Sequence, residues 1–356
     1  MNEPVRLIDL GLVTPVRSQT VYHAVAHAMD DATPDTIILV APLTPYVCIG
    51  YHQDLAKEVD LAYCQNHGLP VYRREVGGGA VYLDRNQVFA QWVFQRSHLP
   101  SSLEERFALY IKPLVETYQH LGINAYHRPI NDIQVAGRKI GGTGAMATDT
   151  AEVMVGSLMF DFDTTTMARV LKVASEKMRD KVFQGLQDYM TTMTRELGQA
   201  PERAAVLDLY VARCSAALQR PLVAGALNER EEALAQELDE RFAGEEWLTT
   251  KGGLRPRSIK IHEDVHVVEA THKAPGGLIR VTARLREGRI DDCSLSGDFT
   301  VLPASAVGAL EEALIGADLQ HDSLVTRLQS AYAAHQVQSP GVTPADFATA
   351  IMATIQ

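Results

Sequence analysis

The sequence predicts an α/β (α+β) protein, with a large domain of mixed strands flanked by helices and a small α+β unit after it. Three observations carry this. Short apolar, β-branched runs alternate with amphipathic stretches through residues 17–162, and a mainly helical stretch follows to residue 242. At Trp247-Leu248-Thr249-Thr250-Lys251-Gly252-Gly253 the character changes. Beyond it, strand-like runs precede two helices, which is the segregated order of an α+β unit. The boundary therefore falls near residue 245, giving domains of 1–245 and 246–356.

The elements follow in order. Residues 17–31 place Val21, Ala24, Val25, Ala28 and Met29 at helical spacing, and residues 36–40 and 46–50 read as buried strands around a Pro-rich turn. Residues 55–67 read as one helix ended by Gly68. A short strand at 71–74 runs into Gly77-Gly78-Gly79, and strands at 80–82 and 88–94 follow. Ser101 or Ser102 caps a long helix that has Glu104 and Glu105 in its first turn and ends near Leu121-Gly122. Residues 132–135 and 153–162 look like antiparallel strands flanking a glycine-rich loop with Lys139 at its mouth. Residues 164–242 are mainly helical, with breaks at Pro201 and Pro221, and the charged run 228–241 is most simply a solvated helix. In the tail, 258–270, 278–286 and 289–294 read as strands, and 304–315 and 323–333 as helices.

Bulk properties narrow the function. At 356 residues the chain can bury two cores, and 46% apolar with 22% charged residues is ordinary soluble composition. A net charge of −11 argues against a nucleic-acid surface and against docking on an anionic membrane. Cys48, Cys64, Cys214 and Cys293 show no C-x-x-C spacing, so neither a disulfide framework nor a zinc site is implied. The N-terminus lacks the pattern of a signal peptide. The apolar stretch 37–51 is interrupted by Pro42 and Pro45 and falls short of the ~20 residues of a membrane span. The expectation is a cytoplasmic protein with no nucleic-acid or membrane partner.

The chemistry concentrates in two segments. Arg73-Arg74-Glu75-Val76-Gly77-Gly78-Gly79-Ala80-Val81-Tyr82-Leu83-Asp84 sets three glycines beside two arginines. Glycines strip every Cβ from a turn and let backbone N–H groups approach an anion, whose charge the arginines complement. Asn131-Asp132-Ile133-Gln134-Val135-Ala136-Gly137-Arg138-Lys139-Ile140-Gly141-Gly142-Thr143-Gly144 is a second glycine-rich, cationic segment. Together they suggest a phosphate-bearing small molecule gripped from two sides. Neither fits a P-loop or a dinucleotide-binding fingerprint. His262-Glu263-Asp264-Val265-His266 matches the zinc-protease pattern, which works only on a helix. Its flanks alternate and are β-branched, and on a strand the two rings stand roughly 13 Å apart, too far to share one metal. His23 and His27 share a helix face but have no third ligand near in sequence, so they read as surface or core residues.

These residues resemble the lipoate–protein ligases, within the biotin/lipoate protein ligase and transferase group. Residues 73–84 are similar to the family motif R-R-x-S-G-G-G-A-V-x-H-D, with Val76 in place of the serine and Leu83 in place of the histidine. Residues 131–145 resemble N-D-(I/L)-x-V-x-G-x-K-(I/V)-x-G-[SN]-A. Met154-Val155-Gly156-Ser157-Leu158-Met159 stands where the family usually has H-H-G-T-L-L. Gly276-Gly277-Leu278-Ile279 and Ser296-Gly297-Asp298-Phe299 resemble the accessory domain of two-domain ligases.

The resemblance implies a biotin-protein-ligase-like catalytic domain with a small accessory domain, which the hinge-like Lys251-Gly252-Gly253 would let move between half-reactions. It implies that lipoate (or octanoate) and ATP with Mg²⁺ form an acyl-adenylate, which a lysine of an acceptor lipoyl domain then attacks. That acceptor would be a dehydrogenase E2 domain, a glycine-cleavage H protein or a related carrier. By resemblance Lys139 is catalytic; Arg74, Gly77, Gly78, Gly79, Asn131, Asp132 and Gly142 bind the nucleotide; and Asp132 helps hold the metal. Val76, Ala80, Val81, Tyr82, Leu83 and Gly156 line the lipoyl site. The rival within the group, an octanoyl or lipoyl transferase that works without ATP, needs a cysteine nucleophile. No cysteine lies between Cys64 and Cys214. A biotin ligase would carry a G-R-G-R-x-G type motif instead. A non-catalytic scaffold that binds lipoyl domains is the reading from a different class.

Overall fold

The computed structural model describes residues 3–254 and 265–355. In chain order the elements begin β1 (Val5–Val13), α1 (Arg17–Ala28), β2 (Thr36–Pro42), β3 (Tyr46–Ile49), α2 (Leu55–Glu58), α3 (Leu61–Asn66), β4 (Val71–Arg73), β5 (Val81–Leu83) and β6 (Gln87–Gln95). Next come α4 (Leu103–His120), β7 (Ala125–Arg128), β8 (Asp132–Val135), β9 (Arg138–Ala147), β10 (Ala151–Met159), α5 (Thr164–Val170), α6 (Glu176–Tyr189) and α7 (Met193–Leu197). Then α8 (Arg203–Leu218), β11 (Leu222–Ala224), α9 (Glu229–Ala243), α10 (Glu245–Leu248), β12 (Val265–Ala274), β13 (Gly277–Arg286), β14 (Arg289–Gly297), α11 (Ala306–Leu314), α12 (His321–Ala334) and α13 (Pro344–Met352) complete the chain. The chain forms two compact units. One comprises Met1–Cys48, Val59–Tyr72 and Val81–Trp247; the other comprises Ile49–Glu58, Arg73–Ala80 and Leu248–Gln356.

The first unit is an eight-stranded mixed sheet of order β11-β1-β2-β6-β10-β9-β8-β7, with β1 parallel to both its neighbours and the remaining pairs antiparallel. β2 is buried along its whole length, as its unbroken apolar run requires of a central strand. Adjacent side chains of β6 show how the helices are distributed. Gln91 donates from Nε2 to Ser18 O of α1 at 2.8 Å, whereas Trp92 meets Tyr110 of α4 edge-on and donates from Nε1 to Tyr210 Oη of α8. Consecutive strand residues point to opposite faces, so α1 covers one face and α4 with α8 the other. Residues of α9 pack on α1 through Ala24, Ala235, Leu238 and Phe242.

The second unit contains the antiparallel meander β12-β13-β14 backed by α11, α12 and α13. Ile279, Val281 and Ala283 point inward at every second position of β13, and Phe299, Leu310 and Phe347 fill the core behind them. Among the described residues no helix is long and apolar enough to cross a membrane.

Several local expectations are corrected. The stretch 55–67 is not one helix: Val59 bridges Leu171, and Asp60 caps a new helix by accepting from Tyr63 N at 3.0 Å. From Arg138 on, the glycine-rich segment is strand rather than loop, and only Ala136-Gly137 forms a turn. The run 228–241 is helical, but α9 is not wholly solvated, since Glu231, Ala235, Leu238 and Phe242 are buried. β1, β7, β11 and α13 had no counterpart in the sequence reading. Residues 258–264, including His262, Glu263 and Asp264 of the zinc-protease-like pattern, lie outside the described residues, while His266 lies on β12.

Candidate active site

Lys139 is the second residue of β9. The turn before it is Ala136-Gly137, with φ of 48° and 80° and Val135 paired to Arg138. Two positive φ values in a two-residue hairpin suit the right-handed twist of the strands. Past the turn Gln134 pairs with Lys139 and Ile133 pairs with Gly141, which leaves Ile140 as the extra residue of a β-bulge. In a regular strand, residues three apart face opposite ways. The bulge turns Lys139 and Gly142 to the same face.

The lysine side chain then lies across Gly142. A Cβ at that position would come within 2.8 Å of Lys139 Nζ and 2.9 Å of Cε, so the glycine is the space the lysine occupies. Asp132 is the cross-strand partner of Gly142, and its Oδ1 sits 2.7 Å from Lys139 Nζ. Tyr189 donates to Asp132 Oδ2 at 3.3 Å, and Arg128 Nη1 stands 3.9 Å from the same oxygen. The Lys139 side chain is 29% exposed and that of Asp132 19%, which leaves the pair open to a ligand on one side.

The main chain around the lysine is fixed from several directions. Thr191 N donates to Lys139 O at 2.8 Å, and Tyr118 Oη donates to Ile140 O at 3.4 Å. Asn131 donates from Nδ2 to Thr143 O at 2.7 Å, and its own carbonyl accepts from Thr143 N and Oγ1. Asn131 thus fastens β9 just beyond Gly142. Gly156 lies on β10 opposite Thr143, on the α4 face: a Cβ there would come 3.0 Å from both Tyr110 Oη and Thr143 Cγ2.

The triple-glycine segment is an irregular loop of the second unit. Arg74 folds over it, donating from Nη2 to Gly77 O at 2.8 Å and Gly79 O at 2.9 Å. Arg73 is fully buried and donates to the carbonyls of Gly50, Tyr51, Gln53 and Leu248. Val76 is buried and its carbonyl accepts from Tyr51 N at 3.1 Å. Gly50 escaped the sequence reading. A Cβ on it would overlap the Gly78 carbonyl oxygen, so this glycine permits the close approach of two main chains.

Val81, Tyr82 and Leu83 form β5 in the first unit, where Tyr82 N donates to Met167 Sδ at 3.2 Å. Burial, then nearby Asp84, pushes the Tyr82 phenol up to about 12. The expected site residues therefore divide. Lys139, Asp132, Asn131 and Gly142 come together at β8 and β9 of the first unit. Gly156 of β10 faces α4 on the other side of that sheet, Val81 to Leu83 lie in the separate sheet β4-β3-β5, and Arg74 and Val76 to Ala80 belong to the second unit. Tyr189, Met190 and Thr191, which touch Asp132 or brace Lys139, were also missed, because they come from a helix end remote in sequence.

Of the expected histidine pair, His23 is a core residue beside Tyr22 and Phe242, held neutral by burial, and His27 is exposed.

Comparison with known proteins gives the family. Residues 15–214 match the model of the lipoyl protein ligase A/B catalytic domain. The chain belongs to that family. Residues 266–351 match the bacterial lipoate protein ligase C-terminus. The chain is 25% identical over 327 residues to lipoate-protein ligase LplJ of Bacillus subtilis, covering 85% of this chain and 87% of that one. It is 23% identical over 268 residues to octanoyltransferase LipM of Brevibacillus brevis, covering 68% and 97%. In fold it is similar to the two-part lipoate protein ligase of Thermoplasma acidophilum, described with its E2 lipoyl domain. The TM-score is 0.64 at 24% identity, covering 73% of this chain and all of that one. The chain is therefore an enzyme of this family, with lipoate–protein ligases and octanoyltransferases both among its relatives.

Proposed function

We propose that the protein is an ATP-dependent lipoate–protein ligase. In the first step a lipoate or octanoate carboxylate oxygen attacks the α-phosphorus of ATP, and pyrophosphate leaves. In the second, the ε-amine of an acceptor lysine attacks the acyl carbonyl of the anhydride, and AMP leaves. The observation that carries this reading is the state of the cysteines. An acyl-enzyme route needs an accessible thiol that ionises readily. All four cysteines are buried. Burial, with Asp60, pushes the Cys64 thiol up to about 11, and burial pushes Cys214 up to about 12.

Lys139 suits the ligase chemistry. Its ammonium is pre-placed against Asp132 and can exchange that carboxylate for the negative oxygens of the acyl carboxylate and α-phosphate. Asn131 and the 190–191 segment keep the strand fixed while this happens. Asp132 offers one partly exposed carboxylate, and among the described residues no cluster of three metal-ligating groups includes it. That fits Mg²⁺ arriving as the counter-ion of ATP phosphates rather than as a resident metal. There it would neutralise phosphate charge. By the motif resemblance, Arg74 with Gly77 to Gly79 is proposed as nucleotide-binding, and Val76, Ala80, Val81, Tyr82, Leu83 and Gly156 as acyl-binding.

The acceptor is a lipoyl-domain protein, an E2 or H-protein type. The test is to incubate the protein with ATP, Mg²⁺, lipoate or octanoate and apo-lipoyl domains, and to read the acceptor mass. ATP-dependent addition of one acyl group is expected. Labelling from an octanoyl carrier protein without ATP would overturn the reading in favour of the transferase.

A further inference from the structure

The triple-glycine loop is shaped by residues far along the chain in the same compact unit. Gly78 N donates to Phe299 O at 3.4 Å. A Cβ on Gly77 would come 2.6 Å from that same oxygen and 3.1 Å from Thr300 Cα, so the loop and the 299–300 backbone touch directly. A Cβ on Gly79 would meet Asp298 Cβ at 3.6 Å. The contact depends on where the Phe299 carbonyl stands, and His52 holds the segment bearing it through its carbonyl and through its ring, which also hydrogen-bonds the Val301 backbone. The His52 carbonyl accepts from Gly297 N at 3.0 Å, and its ring stacks on that of Phe299, with centroids 5.2 Å and planes 20° apart.

The other partners of this assembly are buried or ion-paired. Phe299 is fully buried and meets Phe347 edge-on at 5.5 Å. His52 is 3% exposed, and burial, then the charges of Lys251 and Arg73, depress it to about 3, so the ring is neutral. Its own segment is anchored downstream: Lys57 Nζ donates to Glu269 Oε1 and Thr282 Oγ1, both at 2.8 Å, and Arg280 Nε to Glu58 Oε1 at 2.8 Å. The His52 carbonyl and ring thus hold the same segment, one at Gly297 and the other at Phe299.

We propose that His52 and Phe299 are positioning residues for the triple-glycine loop, their stacked rings fixing the 297–300 backbone on which Gly77 and Gly78 rest. The bearing of this on acyl-adenylate binding depends on the function proposed above. The coupling of ring pair to loop does not, and it is measured without substrate.

The full-length protein and its His52→Ala, His52→Phe and Phe299→Leu variants are compared by hydrogen exchange with mass readout. Amides in residues 73–80 exchange at least about tenfold faster in His52→Ala and Phe299→Leu, while β9 and β10 keep their protection. His52→Phe, which keeps a flat neutral ring for the stack but not the bond to the Val301 backbone, restores most of the slow exchange. In the same two loosened variants the KM for lipoate in ATP–pyrophosphate exchange rises at least about tenfold with a smaller change in kcat. Unchanged loop exchange in a folded Phe299→Leu protein overturns the proposal. So does a uniform loss of protection across the second unit, or the same loosening in His52→Phe. Loop loosening in a protein whose wild type shows no pyrophosphate exchange upholds the coupling and removes the ligase reading instead.

Discussion

A lysine on a β-strand usually sweeps its ammonium through solvent, whereas that of Lys139 has a defined berth. The bulge at Ile140 sets its face, the missing side chain of Gly142 leaves its channel, and Asp132 receives its charge. Lys139→Ala is expected to lower adenylation at least about 10²-fold, the scale of losing one preorganised charge stabiliser, read by ATP–pyrophosphate exchange with lipoate. Gly142→Ala probes the berth without touching the charge. An added methyl displaces Nζ and Cε, so exchange should fall about tenfold or more, while stability shifts by less than about 1 kcal/mol because the backbone there is extended. A Gly142→Ala enzyme with full activity would show that the lysine works from another position. The identity of Lys139 was legible in its motif, but its setting was not. Gly141, Gly142 and Gly144 look like loop-formers, yet Gly142 clears a path for a side chain within a strand. Nothing in a run of glycines separates those two reasons.

Among the elements, α9 shows how charge can mask a packed face. Its run of acidic and basic residues reads as solvated, but Glu231, Ala235, Leu238 and Phe242 recur at helical spacing and are buried. Glu231 is fully buried and accepts from Arg6 Nη1 at 2.9 Å, from Arg6 Nη2 at 2.5 Å and from Asn228 N at 2.8 Å. Asn228 and Glu231 form a capping box, so the start of the helix was visible in sequence. The pairing to Arg6 on β1 was not, since it joins residues at opposite ends of the unit. β1 itself was hidden because the bulge between Asp9 and Gly11 breaks its alternation. Glu231→Ala should cost about 3 kcal/mol in urea denaturation, since it leaves the Arg6 guanidinium partly buried without its carboxylate. Glu232→Ala removes a partner of Arg17 that is 56% exposed and should cost less than about 1 kcal/mol. Similar losses in the two variants would mean that burial does not set the difference.

At the scale of the whole molecule, the sequence suggests a linear cut near residue 245, whereas the second compact unit also takes in Ile49–Glu58 and Arg73–Ala80. Hydrophobic periodicity reports local structure, and the bonds that recruit these segments span most of the chain: Gly78 to Phe299, Lys57 to Glu269, Glu58 to Arg280. The motif residues were legible, but the unit that shapes them was not. This arrangement makes the stability of the second unit depend on pH through His52. An unfolded histidine titrates near 6.5, while in the fold burial beside Lys251 and Arg73 lowers His52 to about 3. Between those values the unfolded chain binds a proton that the folded chain refuses, so stability is whole above about pH 6.5 and declines as the pH falls. At about pH 5 the loss from this one group amounts to about 2 kcal/mol. Buried His23 acts in the same direction from the first unit, so the wild type must be compared with His52→Phe, which keeps His23 and lacks the titrating ring. Urea denaturation at about pH 7.5 and about pH 5 should show the wild type losing about 2 kcal/mol more than the variant. An equal loss in both would place the His52 ring in contact with water and remove the basis for a neutral stack on Phe299.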